Sequence, residues 1–415
     1  MITVIGQSWA LLLGMLFLML GNGMLATLLG IRGAMEGYSA STMSFVMAGY
    51  FLGFLGGSML APALIRRVGH VRVFAALASM ISATFILFAA FPSPVIWALL
   101  RIITGFCFSG VYVVAESWLN DSATNQTRGK TLSLYLVVQM FGVVTAQALL
   151  NIGDPSGYFL FVIASVLVSI SFTPILLSVS PVPVFSTSKP MTLRELFRVS
   201  PLGCVGSFLL GGAFAGLWGM GSVYGTEAGM SVAEISLFIA IIYVGGLLCQ
   251  FPIGWISDRM DRRLLIALIS SACAVASFAG IVVGDVYVVL LIIAFLIGGI
   301  TNPLYSLNIA YTNDFIGTED RAAAAGGLIF IHGIGAIGGP VIVGWMMEFF
   351  GAKGFFMHHL VLVASLAGYA IYRMAIRPAP AAEDTAAFTP VNPASTPVAV
   401  DMVVQEFSAE QEDDR

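Results

Sequence analysis

The sequence predicts an all-α integral membrane protein: twelve transmembrane helices in two pseudo-symmetric six-helix bundles. Three observations carry that prediction. Of 415 residues, 58% are hydrophobic and only 10% charged, whereas soluble domains carry about 25% charged residues. Apolar runs of about 20 residues, the length that crosses a bilayer, recur from end to end. The second half of the chain also repeats residues of the first at a nearly constant offset. Backbone groups in hydrocarbon must pair within their own segment, so the apolar runs are expected to be helices.

Taken in order, the helices fall at about 7–30, 40–64, 73–91, 95–119, 131–151, 157–178, 201–224, 232–256, 264–284, 286–310, 323–348 and 356–376. No Lys or Arg precedes the first run, so it lacks a signal peptide's basic start and is expected to be retained. Arg66, Arg67, Gly69 and His70 break helix 2 from helix 3, and Pro92, Ser93 and Pro94 form a tight turn before helix 4. The domains are 1–178, a first bundle; 179–200, a cytoplasmic linker with Thr192 as a helix cap; 201–377, a second bundle; and 378–415, an acidic tail whose Ala, Pro, Thr, Asp and Glu content predicts disorder.

Basic residues set the orientation. Arg66, Arg67, Arg72, Arg128, Lys130, Lys189, Arg194, Arg198, Arg259, Arg262, Arg263, Arg321, Arg373 and Arg377 follow even-numbered helices, and only Arg32 and Lys353 follow odd-numbered ones. The positive-inside rule then places both termini in the cytoplasm. Cys107, Cys204, Cys249 and Cys273 all lie in apolar runs, where they pack as small hydrophobes; no disulfide or metal site is expected. A net charge of −4, partly from the tail, gives no reason to expect nucleic acid.

The internal repeat aligns Gly37 with Gly229, Ser39 with Ser231 and Gly53 with Gly245, an offset of 192 (229 − 37). An offset of 193 (298 − 105) aligns Gly105 with Gly298, Tyr112 with Tyr305, Asn120 and Asp121 with Asn313 and Asp314, and Arg128 with Arg321. Parallel halves of this kind are a transporter architecture, with a site between them near the midplane.

The stretch after helix 8, from Gly254 through Asp258, Arg259, Asp261 and Arg262 to Arg263, resembles the loop signature G-x-L-A-D-R-x-G-R-R of the major facilitator superfamily. Asp261 replaces its second glycine. In the copy after helix 2, Pro62 stands for the first glycine and Arg66 for the acid. Arg101 and Gly105 resemble the superfamily's R-x-x-x-G signature, and Glu116 to Asn120, with Arg128 and Gly129 following, resembles the YcaD-like branch. The resemblance covers the chain to about residue 376. It implies a cell-membrane protein, of the bacterial inner membrane, that moves a small-molecule substrate as a monomer without a cofactor, with a proton or other ion as coupling partner. It also implies a central cavity lined by helices 1, 4, 7 and 10, and a motif aspartate, Asp258, that latches the inner gate beside Arg128.

The site residues are assigned on that frame. A charge at membrane depth costs at least ~2.5–3.5 kcal/mol, so Arg101 should face a partner or a wet cavity. Its planar fork suits a carboxylate, phosphate or other electron-rich group; snorkelling or bracing is the alternative. Asn22, Tyr112, Gln139, Trp218, Asn302, Tyr305 and His332 complete the expected substrate site. His332 aligns with Gln139 and, with Glu116, is a candidate for ion coupling. Glu116 lies ~22 Å along the helix from Arg101, too far to pair, and a gate salt bridge with Arg128 or a loop arginine is its other reading. Asp121, Arg128, Asp258, Arg259, Asp314 and Arg321 are the expected gating residues. Asn308, Gln147 and Gln250 are read as ligand contacts or helix bridges.

The expected function is secondary active transport of a small organic solute by alternating access. The alternatives are proton-coupled export of amphipathic drugs and a non-transporting solute sensor on the same fold. The antiporter glycine-proline pair is missing from helix 5, which weakens the export reading. No phosphate-binding loop of the G-x-x-x-x-G-K-[ST] kind is present. No catalytic constellation is found either; His358 and His359 fall at a loop without partners.

Overall fold

A computed structural model describes residues 2–123, 128–177, 191–317 and 320–376, and, from the C-terminal segment, 388, 390–393 and 396. The side chains of residues 2–7, 121, 122, 128 and 322 lie outside the description. The helices are α1 (Ile2–Met35), α2 (Ala40–Val68), α3 (His70–Ala90), α4 (Pro94–Ser122), α5 (Arg128–Leu149), α6 (Phe159–Ser171) and α7 (Thr173–Leu177), then α8 (Leu193–Val199), α9 (Pro201–Glu227), α10 (Val232–Ser257), α11 (Arg262–Val283), α12 (Tyr287–Asn313), α13 (Arg321–Phe350) and α14 (Lys353–Ile376). Among the described residues, twelve spans are long and apolar enough to cross a membrane. The sixth is α6 and α7 together, interrupted at Phe172 just before Pro174, which has no N–H to continue the ladder.

Ser39 starts α2 by accepting a hydrogen bond from the Thr42 N–H, and Ser231 starts α10 with a full capping box completed by Glu234. Each cap removes an orphan donor from a helix end. Both serines follow a glycine in the left-handed region, Gly37 at φ 76° and Gly229 at φ 73°, where a side chain would be strained. The repeat is therefore visible in backbone geometry. Thr192 caps α8 as expected, with Glu195 closing the box.

Within each half, the second and fourth spans approach through glycine. A β-carbon on Gly53 would strike the Ile102 carbonyl, and one on Gly105 the Tyr50 carbonyl. In the other half, Gly245 faces the Phe295 carbonyl and Gly298 the Ile242 carbonyl. These four contacts are related by the repeat offset. Between the halves, α2 packs on α13, α5 on α10 and α1 on α9. The outward faces expose large apolar residues such as Leu248, Phe278, Ile292 and Phe349. That is how a bundle presents itself to hydrocarbon.

The two ends differ. At the end away from the arginine-rich loops, the halves touch: Gly30 of α1 abuts Ser222 of α9, and Gly344 of α13 abuts Ser44 of α2. At the basic end, part of the C-terminal segment lies between them. Of the described residues in that segment, whose composition predicts disorder, Val391 and Thr396 are buried against the bundle. His358 and His359 also depart from expectation. They sit inside α14, both buried, and His359 Nε2 lies 3.1 Å from Thr301 Oγ1 and 3.5 Å from Cys273 Sγ.

Candidate functional site

The cavity between the halves has a volume of about 130 Å³. Its walls come from Met19 and Asn22 of α1, Tyr50, Phe51, Phe54 and Ser58 of α2, Arg101 and Tyr112 of α4, and Gln139 of α5. The second half contributes Phe214 and Trp218 of α9, Tyr243 of α10, Asn302 of α12, and His332 of α13. Asn392 and Pro393 close one side.

Arg101 dominates this space electrically. It is only 3% exposed, and its Cζ sits 4.5 Å from the centroid of the Tyr50 ring. Nε and Nη1 have no hydrogen-bond partner among the described residues. A cation over a ring face gains from the ring quadrupole, but two buried donors remain available. Opposite, Phe214 and Trp218 stack at 4.4 Å, and Tyr243 meets Trp218 edge-on at 5.8 Å. Unpaired planar donors and several aromatic faces suit a ring-bearing solute with an electron-rich group.

Seven of the eight residues expected at the substrate site line the cavity: Asn22, Arg101, Tyr112, Gln139, Trp218, Asn302 and His332. Tyr305 is the exception. Its buried ring packs behind His332, with centroids 4.6 Å apart. Tyr112 donates to Met19 Sδ at 3.3 Å. Asn302 donates to Gln250, which donates to Ser306 Oγ at 2.9 Å. Gln147 accepts from Thr27 and donates to the Gly23 carbonyl, bridging α5 to α1, and Asn308 bridges α12 to Gly203 and Ser207 of α9. Those two are braces, outside the cavity.

Sequence reasoning missed Tyr50, Tyr243 and Phe214. A usable signal existed for Tyr50: the repeat places Ile242 opposite it, so the halves differ there.

Glu116 lies beyond the cavity on α4 and is fully buried. Its Oε2 accepts from the Thr396 N–H at 3.0 Å and from the Thr396 hydroxyl. The gate reading with Arg128 cannot be drawn in side-chain terms, since the Arg128 and Asp121 side chains lie outside the described residues.

At the basic end of the second half, Arg262 is the central cation. It pairs with Asp314, donates at 3.3 Å to the Ala310 carbonyl, and reaches Asp258 at 3.4 Å. Arg259, which the loop signature suggested for the gate, is exposed. It lies 4.1 Å over the Trp255 ring and donates to the Trp255 carbonyl. Arg259 therefore lies outside the buried ion-pair cluster, and Arg262 of the same signature lies within it. Asp261 caps α11 through the Arg263 N–H at 2.9 Å. Burial raises its carboxyl, but hydrogen bonds from Arg263 outweigh that and hold it below the ordinary value. Arg321 donates to the Ile316 carbonyl at 3.3 Å. Burial lowers its guanidinium, with Asp314 opposing.

Comparison with known proteins decides the family. The chain matches the Major Facilitator Superfamily over residues 11–230 and again over 203–404. It belongs to the major facilitator superfamily. The likeness to the YcaD-like branch is also found. A protein of Yersinia enterocolitica described as an uncharacterized MFS-type transporter is 26% identical over 347 residues, covering 81% of this chain and 88% of that one. The uncharacterized MFS-type transporter YcaD of Salmonella typhi is 25% identical over 342 residues, with the same coverage. Among solved structures, the nucleoside transporter NupG superposes with a TM-score of 0.73 at 15% identity, over 89% of this chain and 98% of that one. The Escherichia coli fucose:proton symporter FucP gives 0.56 at 15% identity, over 88% and 98%. At such identity these structures establish the superfamily's fold, here as a multi-pass membrane protein.

Proposed function

We propose that this superfamily member is a secondary transporter of a small organic solute. The solute carries a planar ring and a carboxylate or comparable electron-rich group, and it is carried by alternating access. The observation that carries this reading is Arg101: a buried guanidinium with Nε and Nη1 unpaired, facing an aromatic-walled cavity between two repeat-related halves. A cavity near 150 Å³ holds a single benzene-sized ring, and the volume beside Arg101 is about 130 Å³.

The basic end is cytoplasmic on the positive-inside rule, and both termini with it. Gln139 and His332 face the same space and would orient the solute. Glu116 and His332 are the groups that would carry a coupled proton: among the described residues His332 is the one Asp, Glu or His lining the cavity, and Glu116 is a buried carboxylate beyond it. The cluster of Arg262, Asp314, Asp258 and Arg321 would form the inner gate in the second half, with Asp121 and Arg128, the counterparts of Asp314 and Arg321 at the repeat offset, as its members in the first. Each chain encloses a whole cavity, so a monomer suffices.

The test uses purified protein in proteoliposomes. A panel of single-ring carboxylates and nucleosides is first screened by thermal stabilisation, and each hit is then followed by counterflow. The expected result is exchange of a hit solute across the membrane. Arg101→Ala should lose at least tenfold in affinity, and Arg101→Lys less. Unimpaired binding by Arg101→Ala would remove the cavity role of Arg101. Binding without exchange would favour a sensor.

A further inference from the structure

The basic-end half of the path carries something the transport reading does not use. Four side chains, two from each half, are bonded to the chain's own C-terminal segment. In the first half, the buried Glu116 carboxylate accepts from the Thr396 N–H and hydroxyl, and Gln139 Oε1 accepts from Asn392 Nδ2 at 2.7 Å. In the second half, Ser306 Oγ accepts from the Val391 N–H at 2.9 Å and donates to the Val391 carbonyl at 3.0 Å. Asp258 Oδ1 accepts from the Phe388 N–H at 2.8 Å. The Phe388 ring lies where a β-carbon on Gly254 would be, so the first glycine of the loop signature makes room for it.

The chemistry is that of peptide recognition. Main-chain donors at Phe388, Val391 and Thr396 are met by side-chain acceptors, and two side chains add specificity. Pro390, Pro393 and Pro397 bias this stretch toward an extended backbone before it binds. That lowers the ordering entropy of entering a narrow path. The connection from Ile376 to Phe388 spans up to ~40 Å when extended, so the segment can leave and return while tethered at high effective concentration.

We propose that the space at the basic end, beyond the cavity and opening on its Gln139 wall, is a binding site for a peptide, and that the chain's own C-terminal segment, through Phe388, Val391, Asn392 and Thr396, is its ligand, a tethered plug. Bound there, it occupies the Gln139 wall of the substrate path and ties Glu116 of α4 and Gln139 of α5 to Asp258 of α10 and Ser306 of α12. The helices at this end cannot close until it withdraws. The consequence for transport rests on the reading of the cavity as a substrate path; occupancy of the site does not.

The test keeps the full chain, in lipid nanodiscs, and compares the unaltered protein with Thr396→Ser and Thr396→Glu. Thr396→Ser keeps both donors, whereas Thr396→Glu sets a second carboxylate against Glu116. Hydrogen exchange over residues 386–398 should be at least tenfold slower than for the free peptide in the unaltered protein and in Thr396→Ser, and fast in Thr396→Glu. Cavity access is read by N-ethylmaleimide labelling of a cysteine introduced by Ser58→Cys, in a background with Cys249→Ala. Labelling should be at least fivefold faster with Thr396→Glu. A synthetic peptide of residues 386–398 should slow it again, and a scrambled peptide should not. Free exchange of the Phe388, Val391 and Thr396 amides in the unaltered protein would overturn the proposal, as would equal labelling rates in the two backgrounds. Slow exchange and shielded labelling in a protein that exchanges no solute would uphold the plug while removing the transport reading.

Discussion

α4 and α12 are the same element in two copies, and they divide cleanly into what is shared and what is not. Both present a glycine to a neighbouring backbone, Gly105 to Tyr50 and Gly298 to Ile242. Yet where α4 carries Arg101 and Glu116, the offset places Ala294 and Ile309 on α12. Contacts that hold a bundle together recur in both halves; groups that give the cavity its charge occur once. The same division runs through the basic end. Arg262 pairs with Asp314 in the second half, and the repeat puts His70 in the position of Arg262 in the first.

Four experiments press on that division, in order of expected effect. Arg262 and Asp314 are both nearly inaccessible, so removing either leaves a buried charge. Asp314→Ala should destabilise by about 3–5 kcal/mol in detergent unfolding, and Arg262→Met combined with Asp314→Leu should recover much of it. His70→Ala should cost far less; an equal loss would show that both halves are latched alike. Next, Gly105→Ala and Gly298→Ala should each cost about 1–3 kcal/mol through enforced overpacking, and by similar amounts, as read by thermal melting. A large difference between them would break the symmetry of the packing. Third, Arg101→Ala should reduce ligand affinity by about 1.5–3 kcal/mol in titration calorimetry, whereas Ala294→Ser should leave it unchanged. Smallest, Ser39→Ala and Ser231→Ala should cost about 1 kcal/mol each, the latter slightly more because its capping box is complete.

The packing framework was legible because it is periodic and repeated. Twelve apolar runs, the glycines at fixed offset and the two serine caps are local patterns that lipid and helix ends enforce. The cavity was legible where polarity broke an apolar run, as at Arg101, Gln139 and His332. Tyr50 and Phe214 were not, because an aromatic in a membrane helix looks the same whether it meets lipid, a neighbour or a cavity. The loop signature marked the turn but not which of its arginines is paired: Arg259 lies exposed over Trp255, and Arg262 is buried against Asp314. His359 was misjudged for a related reason: its partners, Thr301 and Cys273, come from other spans. The C-terminal segment was opaque for the strongest reason. Its composition is that of a chain unable to build a core, and it is held instead by acceptors, Glu116 and Ser306 among them, far away in sequence.

The contact between Gly30 and Ser222 has one more implication. The two residues are related by the repeat offset itself, 222 − 30 = 192, so this position sits on the pseudo-twofold axis and meets its own counterpart. In a homodimer of one half, any side chain there would confront an identical copy of itself, and even two serines would crowd. A single covalent chain lifts that constraint: one copy can stay hydrogen-only while the other gains a hydroxyl.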